Sequence, residues 1–180
     1  MREKLAEICE RAAAQRLPRW NELPDLELYM DQVLSLIERY LGGYPGFDGK
    51  GLTASMVNNY VKLGVMPAPV KKKYTRVHLA YLIAVCVLKA SLPIDSIRRL
   101  IAELSAGGEE PFYDRFCEQF EEAVNAAAAA ARARVEISER EDSPFSPVCG
   151  AALRAQAEQA LALKFCEAAF GGEADREKKK

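Results

Sequence analysis

The run Thr53-Ala-Ser-Met-Val-Asn-Asn-Tyr-Val-Lys-Leu-Gly64, continuing through Val65-Met-Pro-Ala-Pro-Val-Lys-Lys-Lys-Tyr74 to Thr75, carries several strong structural signals in a short span. Thr53 is a natural helix N-cap, since its hydroxyl can accept from a backbone N–H that has no carbonyl partner in the first turn. Gly64 is a natural C-cap, since only glycine enters the left-handed region without a Cβ penalty. Between them Val57, Tyr60 and Val61 can face inward, which leaves Ser55, Asn58, Asn59 and Lys62 facing outward. The following segment, about 65–74, is too rich in proline for a helix. It is bounded by a β-compatible Val and Tyr, so it reads as a short extended hairpin. Thr75 then caps an apolar helix through Leu79, Leu82, Ile83, Cys86, Val87 and Leu88. Pro93 sits in the first turn of the next helix, whose core face is Ile94, Ile97, Leu100 and Ile101.

Working outward, Leu5, Ile8, Cys9 and Ala12 define a first helix from Arg2 to Leu17, stopped by Pro18. A second helix is predicted from about Asp25 to Leu41, with Leu26, Tyr29, Met30, Val33, Leu34, Ile37, Tyr40 and Leu41 as its apolar face. Gly42–Gly51 holds five glycines and a proline and is a loop. Its Gly49-Lys50 invites comparison with a phosphate-binding loop. Tyr44 stands where the first glycine is required, Gly51 stands where a Ser or Thr would hold magnesium, and no apolar strand leads in, so nucleotide binding is discarded.

Past Ser105-Ala-Gly-Gly108, a new helix starts at Pro111. Phe112, Phe116, Phe120, Val124 and Ala127 recur at helical spacing, and the alanine tract Ala126–Ala131 carries the helix toward Val135. After a polar loop from Ile137 to Pro147, a last helix, about Val148 to Phe170, places Leu153, Ala157, Leu161, Phe165 and Ala168 on one face. That face suits close packing within a helical hairpin or across a dimer. The expected organisation is an N-terminal helix in 1–19, a central domain in 20–105, a helical hairpin in 106–170 for dimerisation or effector response, and a disordered charged tail in 171–180.

Of the 180 residues, 49% are apolar and 8% aromatic, which favours a mainly all-α protein. The net charge of −1 hides an asymmetry. Residues 50–100 hold nine basic residues against Asp95 alone. The rest of the chain holds the other 16 of 25 basic and 25 of 26 acidic residues. A basic module in an acidic chain is expected if one face meets a polyanion, the alternative being a solvated charged surface. Cys9, Cys86, Cys117, Cys149 and Cys166 are odd in number and widely spaced, which predicts reduced thiols and no metal site. With no apolar leader and no apolar run of membrane-spanning length, a cytoplasmic protein with no membrane partner is expected.

The order of short helix, glycine turn, Pro-flanked basic hairpin, long apolar helix and short helix is similar to the MerR superfamily. Val57-Asn-Asn-Tyr60 through Gly64-Val-Met-Pro67 falls where that superfamily has its recognition helix, turn glycine and proline. Lys72-Lys-Tyr-Thr75 falls where it has the basic wing, aromatic residue and helix-capping hydroxyl. More closely, Trp20-Asn-Glu-Leu-Pro-Asp25, Leu28-Tyr-Met-Asp-Gln32, Asn58-Asn-Tyr-Val-Lys62 and Lys71-Lys-Lys-Tyr74 resemble the bacterial family catalogued as domain of unknown function 1836, over roughly Leu17 to Phe170. The chain departs from the superfamily pattern by a long Gly-rich loop before the recognition helix, by Asn58 in place of the usual Arg, and by a wing without its Arg and turn Gly.

The resemblance implies a MerR-like winged helix-turn-helix with a short β-hairpin wing and additional C-terminal helices. The function it implies is a DNA-binding transcriptional regulator with a recognition helix at about 54–63. Asn58 and Asn59 offer the paired donor and acceptor that suits adenine. Ser55 and Lys62 suit phosphate or guanine, and Lys71, Lys72 and Lys73 suit the phosphate backbone. With Thr53, Tyr74 and Arg76 these form the candidate DNA-contacting set. Arg98 and Arg99 could extend it. His78, the lone histidine, reads as a first-turn surface residue or a hydrogen-bonded edge group. Trp20, Tyr29, Phe112, Phe116 and Phe120 read as core aromatics that could alternatively line an effector pocket. The expected partners are double-stranded DNA and a second copy of the chain. No cofactor and no enzymatic role are expected, since no nucleophile–base or carboxylate pair is evident. The alternative is a protein-interaction module on the same fold without DNA binding.

Overall fold

Capping and local hydrogen bonding set the helix bounds in the computed structural model, which describes residues 2–44, 47, 51–137 and 145–177. The described residues form seven helices and no β-strand: α1 Arg2–Ala13, α2 Met30–Leu41, α3 Ala54–Lys62, α4 Arg76–Leu88, α5 Ile94–Ser105, α6 Glu109–Ile137 and α7 Phe145–Glu177. A single 3-10 turn spans Trp20–Glu22. The all-α expectation therefore holds.

Both ends of α3 follow the sequence chemistry. The Met56 N–H donates to Thr53 Oγ1 at 3.2 Å. At the other end Gly64 adopts φ +68°. Its N–H donates to the Val61 carbonyl at 3.0 Å, and the Val65 N–H reaches back to the Tyr60 carbonyl at 2.9 Å. This pair of bonds is a Schellman motif, which satisfies carbonyls the helix leaves orphaned.

The segment after it differs from the expected hairpin. Lys71 and Lys72 take φ of 51° and 62°, and the Lys73 N–H closes a tight turn onto the Val70 carbonyl at 2.8 Å. Two consecutive positive φ values are the requirement of a type I′ turn. Only isolated antiparallel bridges flank it, Val70 with Lys73 and Leu28 with Tyr74. The second bridge also shortens α2. Asp25–Tyr29, expected to be helical, is instead held by bonds between Leu28 and Tyr74 at 2.8 and 2.9 Å. Helix α2 begins at Met30, where Gln32 Oε1 accepts from the Tyr29 N–H at 2.8 Å. An apolar pattern that fits a helix was overridden by a backbone partner 46 residues away in sequence.

Tertiary contacts divide the chain into two units, Leu17–Gln119 and Met1–Arg16 with Phe120–Lys180. In the first unit α4 is the central helix, buried on every side from His78 to Cys86, as a helix apolar all round must be. Helices α2 and α5 pack on it, and α3 packs on α2. Val33, Ile37, Leu41, Val57, Leu79, Leu82, Ile83 and Ile97 make the core, joined by Leu17, Leu23, Tyr113 and Cys117. The division falls inside α6, past the Ser105–Gly108 turn where composition suggests it. The cause is that Phe112, Tyr113 and Cys117 in the first turns of α6 are buried in this unit.

In the second unit α1 ends at Ala13, earlier than expected, and Glu10 pairs with Arg132 of α6 at 3.0 Å. Gly150 of α7 lies directly against the guanidinium end of the Arg134 side chain. Ala151 and Ala155, with Arg154 and Glu158, line a gap whose other side is Ala127, Ala130, Ala131 and Arg134. Small residues thus line much of this gap, while the large residues of the predicted Leu153–Phe165 face are exposed. Leu153, Leu161 and Phe165 are 65%, 56% and 68% exposed. Helix α7 runs on to Glu177, through most of the segment read as a tail. No described helix is long and apolar enough to cross a membrane.

Candidate nucleic-acid interface

Helix α3 turns Val57 and Tyr60 into the core and leaves Ser55, Asn58, Asn59 and Lys62 exposed. These four stand at i, i+3, i+4 and i+7 and so share one side of the helix. Asn58 and Asn59 make no side-chain hydrogen bond with any described residue, so their amide groups are available to a partner. Thr53 is also exposed, with its hydroxyl engaged in the cap.

The basic residues sort into free and engaged. Lys62, Lys71 and Lys72 are exposed and have no ion pair or ring contact with a described residue. Lys73 is different: its Nζ stands 3.7 Å from the centroid of the Tyr29 ring, a cation–π contact that holds it against the protein. Lys89 lies over Phe47. Arg98 and Arg99 both bond to Asp95, at 2.8 and 3.2 Å. Asp95 is held below the usual carboxylate range by the Arg98 hydrogen bond and the charges of both arginines. Those arginines therefore do not extend a basic footprint. Lys50 and Gly49 lie outside the described residues.

Two members of the candidate set are structural. Tyr74 is only 3% exposed, packed edge-on against His78 at 5.4 Å between ring centroids. Arg76 donates from Nε to the Leu23 carbonyl at 3.1 Å, lies 3.6 Å from Asp25 and covers the Trp20 ring. Their positions in the pattern suggested contact residues. In fact the Leu28 bridge draws Tyr74 inward, and the carbonyl at the Leu23 turn captures Arg76. What remains for a partner is Ser55, Asn58, Asn59, Lys62, Lys71 and Lys72, beside the exposed cap at Thr53.

Sequence reasoning missed Tyr29 and Val70, which are 55% and 73% exposed beside the basic turn. Tyr29 was assigned to the core face of a helix that does not include it. Strand-like alternation, with Leu28 inward and Tyr29 outward, is the sequence signal that would have found it.

His78 is buried and forms part of a capping box. Its Nδ1 accepts from the Thr75 N–H at 3.0 Å while its Nε2 is buried without a hydrogen-bond partner. Nδ1 can accept only if it carries no proton, so the ring is the neutral Nε2–H tautomer. Burial pushes its pKa down, opposed in part by the nearby Ala68 backbone, which does not close a sound hydrogen bond to Nε2. Cys117 is likewise a core group: it donates to the Pro18 carbonyl at 3.6 Å and burial pushes its thiol up to about 11. All five cysteines are free thiols. Among the described residues no three His, Cys, Asp or Glu side chains gather as a metal site would require.

The first unit is thus an all-α domain whose short third helix and following tight turn present free amides and free lysines to solvent. Residues 18–120 match the family described as Domain of unknown function (DUF1836), and the chain belongs to that family. The matched span follows the Leu17–Gln119 unit to within a residue at each end. No curated protein and no solved structure matches the chain.

Proposed function

We propose that this protein is a DNA-binding transcriptional regulator of the MerR-like winged helix-turn-helix type, with α3 as recognition helix and the Val70–Lys73 turn as a reduced wing. It is non-enzymatic, needs no cofactor and acts in the cytoplasm as a homodimer on double-stranded DNA. The observation that carries the reading is the free polar face of α3, followed within ten residues by two exposed lysines on a tight turn. Asn58 and Asn59 supply the geometry that reads adenine edges in the major groove. Lys62, Lys71 and Lys72 supply phosphate contacts, which position a module without reading sequence. The homodimer is supported by the exposed Leu153, Leu161 and Phe165 stripe of α7.

The test is the salt dependence of binding to random-sequence duplex DNA. Each phosphate neutralised contributes about 0.9 to the slope of log K against log salt. The Lys71→Ala, Lys72→Ala double variant should therefore lose about 1.8 per module. Lys73→Ala should lose far less, because its ammonium sits on Tyr29. Absence of binding by the parent at low salt would remove the reading.

A second reading, a protein-interaction module without DNA binding, is favoured by the exposed Tyr29 and Val70 beside the turn. In that case Val70→Asp would abolish partner capture and the lysine variants would have no DNA affinity to lose.

A further inference from the structure

A groove of about 230 Å³ opens at the start of α6 in the first unit. Leu104, Pro111, Phe112 and Phe116 make its apolar floor, and Gly107 leaves one side open, with nothing within 4 Å of where its Cβ would stand. Leu104 is 42% exposed and Phe116 is half-buried, so these two open to solvent while Phe112 is buried beneath them. The Phe112 and Phe116 rings lie 6.4 Å apart at 41°, and Phe112 is also 6.0 Å from Tyr81 of α4. The polar groups on the rim are Arg115 and Gln119. Arg115 is exposed and has no ion pair or hydrogen bond with any described residue. The cation standing over this apolar floor is thus unneutralised.

We infer that this groove is a binding site for a small aromatic carboxylate. The ring would lie on Phe116 and Leu104, meeting Phe116 in the offset or edge-on arrangement that aromatic pairs prefer. The carboxylate would be taken by the Arg115 guanidinium, whose planar fork matches its two oxygens, with the Gln119 amide as a further donor. The volume falls below the roughly 300–1,000 Å³ usual for drug-sized ligands, which limits the occupant to about one ring. Apolar surface alone would accept neutral and charged rings alike. The free guanidinium selects the anion. The site is separate from α3 and the lysine turn and does not depend on the DNA-binding reading.

The probe is benzoate, titrated into the full-length protein and followed by amide and aromatic chemical shifts, with benzamide as the neutral isostere and acetate as the anion without a ring. Benzoate should saturate shifts at Gly107, Phe112 and Phe116 with a Kd of about 1 mM or tighter. Benzamide and acetate should each bind at least about tenfold more weakly. Arg115→Gln, a surface change that leaves the core intact, should bring benzoate down to the level of benzamide, and Phe116→Ala should weaken both. Equal binding of benzoate and benzamide, an unaltered Kd in Arg115→Gln, or saturable shifts elsewhere with none at the groove would each overturn the assignment.

Discussion

Lys71 and Lys72 occupy a backbone conformation that costs a residue with a Cβ about 1 kcal/mol or more each, and glycine or asparagine is the ordinary solution at such a turn. Two exposed lysines there exchange stability for charge at the turn. Lys72→Gly should therefore raise unfolding stability by about 1 kcal/mol, less the extra freedom glycine gives the unfolded chain. It should also lower the salt slope of DNA binding by about 0.9 per module. Urea unfolding and the DNA titration, run on the same variant, check the two halves. A variant that is neither more stable nor weaker in slope would mean that the strained lysines are incidental.

His78 is the other residue whose local chemistry has a measurable consequence. Its folded pKa lies below the ordinary 6.5 because burial disfavours the cation. Above 6.5 the ring is neutral in both states and the capping contribution is fully present. As pH falls below 6.5 the unfolded chain takes up the proton first, so stability declines toward the folded pKa. Thermal unfolding between pH 7 and 5 should show a fall that is smaller in His78→Gln, which keeps an acceptor at the same capping position without the titration. His78 is the chain's sole histidine, so the difference between the two curves belongs to it.

At the scale of elements, the 3-10 turn Trp20–Glu22 and the start of α4 are joined through one side chain. Arg76 bonds the Leu23 carbonyl and covers Trp20, while the Trp20 N–H donates to Asp114 of α6 at 2.8 Å. Arg76→Ala should lower stability by roughly 1.5–3 kcal/mol, the usual worth of a hydrogen bond from a charged donor, and leave the DNA salt slope unchanged. The opposite pattern, an unaltered Tm with a shallower slope, would return Arg76 to the DNA-contacting set.

The contrast with α3 explains what the sequence could disclose. Thr53, Gly64 and the 3.6-residue spacing of Val57 and Tyr60 are local signals, and they placed α3 and its exposed side correctly. The inward turn of Tyr74 and the capture of Arg76 depend on Leu28 and Leu23, 46 and 53 residues away, and no local pattern carries that information. The same holds for α2, whose apolar face continues through Leu26 and Tyr29 in composition but not in conformation.

At the scale of the whole molecule, the decisive feature is where α7 spends its side chains. Toward α6 it presents small residues, Gly150 against the Arg134 side chain and Ala151 and Ala155 along a gap that Ala127, Ala130 and Ala131 line from the other side. The consequence is that the large residues of α7 are left over: Val148, Leu153, Leu161 and Phe165 are all more than half exposed. On the dimeric reading proposed above, Leu153, Leu161 and Phe165, which lie within about 120° of one another around the helix, are the interaction surface, and a second copy of the same helix meets it about a two-fold axis. Burying Leu161 and Phe165 in such an interface would contribute about 1.5–3 kcal/mol each on each chain. Leu161→Glu with Phe165→Glu should therefore convert a dimer to a monomer in sedimentation, with little change in the helical signal because both side chains face solvent in the single chain. DNA affinity should fall with the loss of the second module, while the salt slope measured per bound chain stays the same. A parent that sediments as a monomer at tens of micromolar, or a double variant that remains dimeric, would exclude α7 as the dimer surface.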